Sequence, residues 1–120
     1  MHLTLKAPAA SAIEENVKRL TDLGLQVHIT EFDVRVPVDA ERMATPESLA
    51  QQAEIYRDIT SACVKYPGCS AIQLWGFTDR YSWIPGTYRG FGAALLFTPD
   101  YAAKPAYQAI QSALRQAGSK

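Results

Sequence analysis

Apolar and polar positions along the chain fall into three helical rhythms separated by two short apolar runs. Ile13, Val17 and Leu20 recur at the spacing that lines one face of a helix. Ser11 and Glu14 form a capping-box pattern at its start, and Gly24 suits its end. Leu25 to Thr30 then reads as a short strand rich in β-branched residues. A second helix opens at Thr45, a good N-cap, with Pro46 in the first turn and Glu47 at the positive helix end. Leu49, Ala53, Tyr56, Ile59 and Cys63 form its apolar stripe, and Pro67-Gly68 ends it. Ala71 to Trp75 is the next strand. Pro105 opens a last helix that buries Tyr107, Ile110 and Leu114, and the tail Gly118-Ser119-Lys120 is expected to fray.

Between the second strand and the last helix runs a long segment from Gly76 to about Lys104. It carries Tyr81, Trp83, Tyr88 and Phe91. Uninterrupted loops of this length are usually functional or disordered, and the aromatic content argues against disorder. Met1 to Leu5 reads as the end of a further strand. Alternation of strands and helices implies parallel strands joined by helical crossovers. Two or three such strands cannot close a (β/α)8 barrel, which needs about 250 residues. The expected fold is therefore α/β, a partial barrel of about the last three βα units, with the 120 residues forming one such part. Its uncovered apolar faces and strand edge predict poor behaviour in isolation.

Composition narrows the function. Twelve basic and twelve acidic residues balance and are interspersed, so there is no basic stripe for nucleic acid. No apolar run approaches the roughly 18–20 residues of a membrane span. The N-terminus lacks the regions of a signal peptide, so an export signal would lie on sequence outside this chain. Cys63 and Cys69 flank a turn-rich link. They read either as a short-loop disulfide or as two buried thiols, and their spacing does not suit zinc.

The candidate chemistry sits at the strand ends, where parallel α/β folds collect functional side chains. Glu31 ends the first strand run, with Asp33 two residues on. Strict alternation groups Val27, Ile29 and Glu31 on one face and turns His28 and Thr30 to the other, making His28 a histidine between strand and helix. His2, at the end of the preceding strand, is the better partner for Glu31, with Asp33 orienting its ring. The competing reading of His2 is a frayed terminal residue. Trp75, Asp79, Tyr81 and Trp83 cluster after the second strand. Indole faces stack on the apolar faces of sugar rings while polar neighbours take the hydroxyls. Core packing is the competing reading for Trp75.

At these residues the chain closely resembles glycoside hydrolase family 10, the endo-β-1,4-xylanases. Gly24 through Val34 fits the signature around that family's nucleophile, with Phe32 where an aliphatic residue is commoner. Trp75-Gly76, Asp79 and Ser82-Trp83 match its last-strand motif, and Met1-His2-Leu3 matches the end of its histidine-bearing segment. The resemblance implies Glu31 as nucleophile, His2 hydrogen-bonded to it, Asp33 supporting His2, and Trp75 and Trp83 as walls around the sugar. Asp79 and Tyr81 are expected to contribute to substrate binding. It also implies a Cys63–Cys69 disulfide, a retaining mechanism without metal or cofactor, xylan or xylo-oligosaccharide as substrate, and a secreted or periplasmic full-length protein. The family's acid/base glutamate follows an Asn-Glu motif on the fourth strand, and this chain has no Asn-Glu pair. An N-terminal barrel half is thus the implied partner for activity, and a non-catalytic sugar-binding or complementing fragment is the alternative.

Overall fold

A computed structural model describes residues 1–118; Ser119 and Lys120, and with them the reading of a frayed tail, lie outside the described residues. The elements are β1 (His2–Thr4), α1 (Ala10–Asp22), β2 (Val27–Pro37), α2 (Pro46–Val64), β3 (Cys69–Leu74), α3 (Ile84–Thr87), β4 (Phe91–Gly92) and α4 (Pro105–Gly118), with a 3₁₀ turn at Asp79–Tyr81. β1, β2 and β3 pair in parallel in that order. The helices cover one face of this sheet, as crossover connections require. No helix among the described residues is long and apolar enough to cross a membrane.

The core lies between β2 and the helices. Ile29, Phe32 and Val34 of β2 pack with Val17 of α1, Tyr56, Ile59 and Cys63 of α2, and Ala106 of α4. The Phe32 and Tyr56 rings lie 4.6 Å apart. Truncating a fully buried ring such as Phe32 to alanine costs about 3–5 kcal/mol. The Tyr56 hydroxyl donates to the Ala94 carbonyl at 2.8 Å, satisfying the one polar atom this ring carries inward. The bridge between Cys63 and Cys69 joins the end of α2 to the start of β3.

Two of the local helix-end signals held. Thr45 caps α2, its side chain accepting from Ser48 N at 3.1 Å, with Pro46 opening the helix. Gly24 takes a positive φ of 77° after α1. The Ser11–Glu14 capping box does not form. α1 starts one residue earlier with Ala9 as an unassisted N-cap, and the Glu14 carboxylate turns outward to bond Lys65 Nζ and the Tyr66 hydroxyl. An ammonium and a phenol on a neighbouring element outbid a single backbone N–H for that carboxylate.

Three further expectations are corrected. Strand β2 does not stop near Thr30 but runs on to Pro37, because Phe32, Val34 and Val36 continue the buried alternation beyond the two acids. Residues 76–104 are not one irregular loop. They contain the 3₁₀ turn, α3 and β4, and β4 pairs antiparallel with the far end of β2, Val36 with Gly92 and Pro37 with Phe91. Leu114 of α4 is 49% exposed. The side of α4 facing the core carries Ala106 and Ala113, whose small side chains let α4 approach closely, and Leu114 instead lines an apolar groove with Ile110, Ala71 and Ile72 of β3.

Candidate active site

The site begins with an irregularity in β2. Along β2 the pairing with β3 steps from Ile29–Ile72 to Phe32–Leu74, three residues against two. One extra residue is accommodated as a β-bulge, and Glu31 within it takes a left-handed φ of 53°. Non-glycine residues held there cost about 1–3 kcal/mol and concentrate at functional sites. The bulge overturns the simple alternation. Ile29 and Phe32, an odd number of residues apart, both face the helices, and Glu31 projects to the opposite side together with Asp33. His28 lies exposed rather than between strand and helix, its Nε2 within 3.0 Å of Ser70 Oγ. It does not join Glu31.

β1 supplies the partner. Its register sets His2 beside Asp33. The imidazole bridges the two acids: Nδ1 lies 2.8 Å from Asp33 Oδ2 and Nε2 lies 3.1 Å from Glu31 Oε2. A ring carrying both protons donates to both carboxylates at once, fixing the orientation of the Glu31 carboxylate. Asp33 is wholly buried, whereas the Glu31 side chain is 48% exposed. The chain of contacts therefore runs from a buried anchor to a carboxylate open to a ligand.

The segment after β3 completes the wall. Trp83 Nε1 donates to Asp33 Oδ2 at 2.8 Å, so Asp33 holds both the histidine and one tryptophan. The Trp83 ring meets His2 edge-on at 4.8 Å, and Trp75 meets it edge-on at 6.4 Å. Trp75 is half exposed, which removes core packing as its role. Gly76 behind it is required: a Cβ there would lie 2.8 Å from Leu95 Cδ1, and its φ is 132°.

Among the described residues, Asp79 and Tyr81 make no hydrogen bond, ion pair or ring contact with this cluster. Asp79 turns into the interior of the 76–104 segment. Its Oδ1 accepts from Leu95 N at 2.7 Å and its Oδ2 from Lys104 Nζ at 2.9 Å. Lys104 Nζ also donates to the carbonyls of Ala93 and Leu95. Burial pushes the Asp79 carboxyl up, against the pull of the Lys104 ammonium, and pushes the Lys104 ammonium down. Tyr81 is 76% exposed, with the Arg80 guanidinium 5.9 Å from its ring.

Two contributors carry no motif in the sequence. Gln52 is fully buried on α2 and donates Nε2 to the carbonyls of Val34 and Ala93, tying β2 to the segment before α4. A polar residue beside Ala53 in an apolar stripe was the available signal. Lys104, just before the helix-opening Pro105, gave none, since its carboxylate partner is far away in sequence.

The chain is similar in sequence and fold to known proteins. Residues 1–113 match the glycosyl hydrolase family 10 pattern. The chain is 40% identical over 116 residues to endo-1,4-beta-xylanase B of Thermotoga neapolitana, covering 97% of this chain and 33% of that one. It is 41% identical over 100 residues to an endo-1,4-beta-xylanase of Agaricus bisporus, covering 83% of this chain and 29% of the relative. Among solved structures, xylanase 10B of Thermotoga petrophila RKU-1 in complex with xylobiose superposes with a TM-score of 0.89 at 42% identity, over 97% of this chain and 35% of that one. Native xylanase 10B of Thermotoga maritima gives 0.90 at 40% identity, over the whole chain and 36% of its own. The chain spans about a third of the length of these relatives. With its parallel α/β architecture, its strand-end carboxylates and this match, the chain belongs to glycosyl hydrolase family 10.

Proposed function

We propose that this chain is the C-terminal three βα units of a (β/α)8 barrel and carries the nucleophile half of an endo-β-1,4-xylanase site. The observation that carries this reading is the His2 bridge between Glu31 and Asp33. In the proposed reaction the Glu31 carboxylate attacks the anomeric carbon of a xylosyl unit and the glycosidic C–O bond breaks. The leaving oxygen takes a proton from a second carboxyl on sequence outside these 120 residues. That group, now a base, removes a proton from water. The water attacks the anomeric carbon, releases Glu31 and leaves the configuration retained. Retaining enzymes hold their two carboxyl groups about 5–5.5 Å apart. His2 and Asp33 orient the nucleophile, and Trp75 and Trp83 stack on the sugar beside the bond. Xylan and xylo-oligosaccharides are the proposed ligands, consistent with the xylobiose in the Thermotoga petrophila structure. The Cys63–Cys69 bridge supports a secreted or periplasmic location, since such bridges persist in oxidising compartments.

Without the second carboxyl, turnover of an unactivated xylan falls by about 10²–10⁴-fold. An aryl β-xyloside, whose leaving group needs little acid help, therefore tests the chain directly, alone and with the upstream barrel half supplied in trans. Hydrolysis that disappears in Glu31→Gln supports the assignment, and hydrolysis untouched by Glu31→Gln sinks it. A second reading, a sugar-binding or complementing fragment, rests on the exposed Trp75 and Phe77 beside β3, which has a single strand neighbour among the described residues. Binding of xylo-oligosaccharide without turnover in either format favours that reading.

A further inference from the structure

From the bulge onward, β2 presents Glu31, Asp33 and Arg35 on one face, with Phe32, Val34 and Val36 buried on the other. The first two belong to the site described above. Arg35 does not, and its guanidinium makes no hydrogen bond or ion pair among the described residues; its ring contacts are what hold it. Its guanidinium carbon lies 3.9 Å from the centre of the Tyr88 ring and 5.8 Å from that of Phe91. The Tyr88 ring in turn meets Trp83 edge-on, with centroids 5.6 Å apart and planes at 69°. Trp83 has one hydrogen bond from its indole, to Asp33. One bond leaves an indole free to swing about it, so ring contacts are needed to fix its plane. His2 meets the ring edge-on at 4.8 Å, and Tyr88 supplies the other ring contact. It is seated by its own backbone, Tyr88 N donating to Ile84 O at 2.8 Å and Phe91 N to Tyr88 O at 3.1 Å.

We infer that Arg35 is a positioning residue for the sugar-stacking wall: its cation on the face of Tyr88 holds that ring, and the ring holds the plane of Trp83 against His2. The role as a sugar wall rests on the function proposed above; the contact itself does not. One strand face thus carries the nucleophile, the anchor of the Trp83 N–H and the brace of the Trp83 plane. A planar guanidinium stacks on a ring, whereas a lysine ammonium is a compact point charge. Arg35→Lys is therefore only a partial rescue of Arg35→Met, while Tyr88→Phe, which keeps the ring, is a nearly full rescue of Tyr88→Leu.

The test uses the near-ultraviolet circular dichroism of the indoles, with the band of Trp83 defined by its loss in Trp83→Phe. It is read on the chain alone and with the upstream barrel half. Arg35→Met and Tyr88→Leu are expected to lose most of that band, Arg35→Lys part of it and Tyr88→Phe little. In the assembled enzyme, Arg35→Met is expected to raise KM for a xylo-oligosaccharide about 3–10-fold, the range of an exposed to partly desolvated cation–π contact, with kcat nearly unchanged. A lower melting temperature with band and KM intact means a merely structural arginine and overturns the inference. So does the absence of any Trp83 band in the wild type, because the ring is then not held. If Arg35→Met fails to fold, the Tyr88→Phe and Tyr88→Leu pair decides: equal spectra refute the brace. If xylo-oligosaccharide affinity is the same in wild type and Trp83→Phe, the proposed function fails, while the indole band still reports whether Arg35 positions Trp83.

Discussion

Asp33 and Asp79 both have buried side chains and both bond residues of the 76–104 segment, and they are used in opposite ways. Asp33 shares one oxygen between His2 and Trp83, and its Oδ1 is left without a partner. Its contacts lead outward, through His2, to the half-exposed Glu31. Asp79 uses both oxygens internally, and Lys104 spends its three protons on Asp79 and two carbonyls. Its contacts close on the backbone. Under the proposed function, Asp33 serves chemistry because its network ends at a solvent-facing group, whereas the network of Asp79 is complete within the fold. Burial alone does not distinguish the two.

The largest expected effect breaks the outward network at its end. Glu31→Gln should abolish aryl β-xyloside hydrolysis by the assembled barrel, by at least about 10³-fold, as removal of a nucleophile does. Melting temperature should hardly change, because Glu31 is exposed. A large loss of stability would mean that Glu31 is architectural like Asp79.

Next comes the closed network. Lys104→Met leaves the Asp79 carboxylate buried and unpaired, at a cost of about 3–5 kcal/mol in urea denaturation. Replacing both, Asp79→Asn with Lys104→Met, should recover most of that loss, since the uncompensated charge is gone. A double variant as unstable as the single one would show that the cost is packing rather than charge.

A smaller effect separates the two aspartates directly. Asp33→Asn removes one charge-assisted hydrogen bond from His2 and weakens that from Trp83. Activity should fall about 10–100-fold, the worth of such bonds, and the dependence of kcat on pH should change with it. Asp79→Asn should affect stability first and leave the shape of the pH profile alone. Identical pH profiles for wild type and Asp33→Asn would refute the outward role of Asp33.

The smallest effect concerns a partly exposed carboxylate. The Lys65 ammonium, and after it the Tyr66 hydroxyl, hold the Glu14 carboxyl below its ordinary value of 4.5. The folded state therefore binds that proton less readily than the unfolded chain. The stabilisation is fully present above 4.5 and is lost as pH falls through the lowered folded value. Glu14→Gln should lower the melting temperature slightly near neutrality, and the difference should vanish once pH has fallen below the lowered folded value. A constant difference across that range would remove Glu14 from the acid response.

Much of this architecture was readable in advance. The apolar stripe of α2 and its Thr45-Pro46 start depend on periodicity and capping, which are local properties. The pairing of His2 with Glu31 and Asp33 was legible because parallel strands bring their C-terminal ends together. The route to it was partly wrong, since alternation gave Glu31 the face of Val27 and Ile29. A bulge is a mismatch between two strands and cannot be read from one. Sequence neighbourhood places Asp79 with Trp75, Tyr81 and Trp83, whereas its interior partner Lys104 lies far along the chain.

Short-range periodicity and residue chemistry were enough for the three long helices, the start of β2 and the existence of β3, the acid on β2, the cysteine pair and the aromatic segment that follows β3. Only the tertiary structure decided which carboxylate faces outward, that Lys104 closes on Asp79, and that Arg35 reaches Tyr88. Those outcomes depend on register between strands and on contacts between distant residues, where a one-residue offset reverses the face a side chain takes.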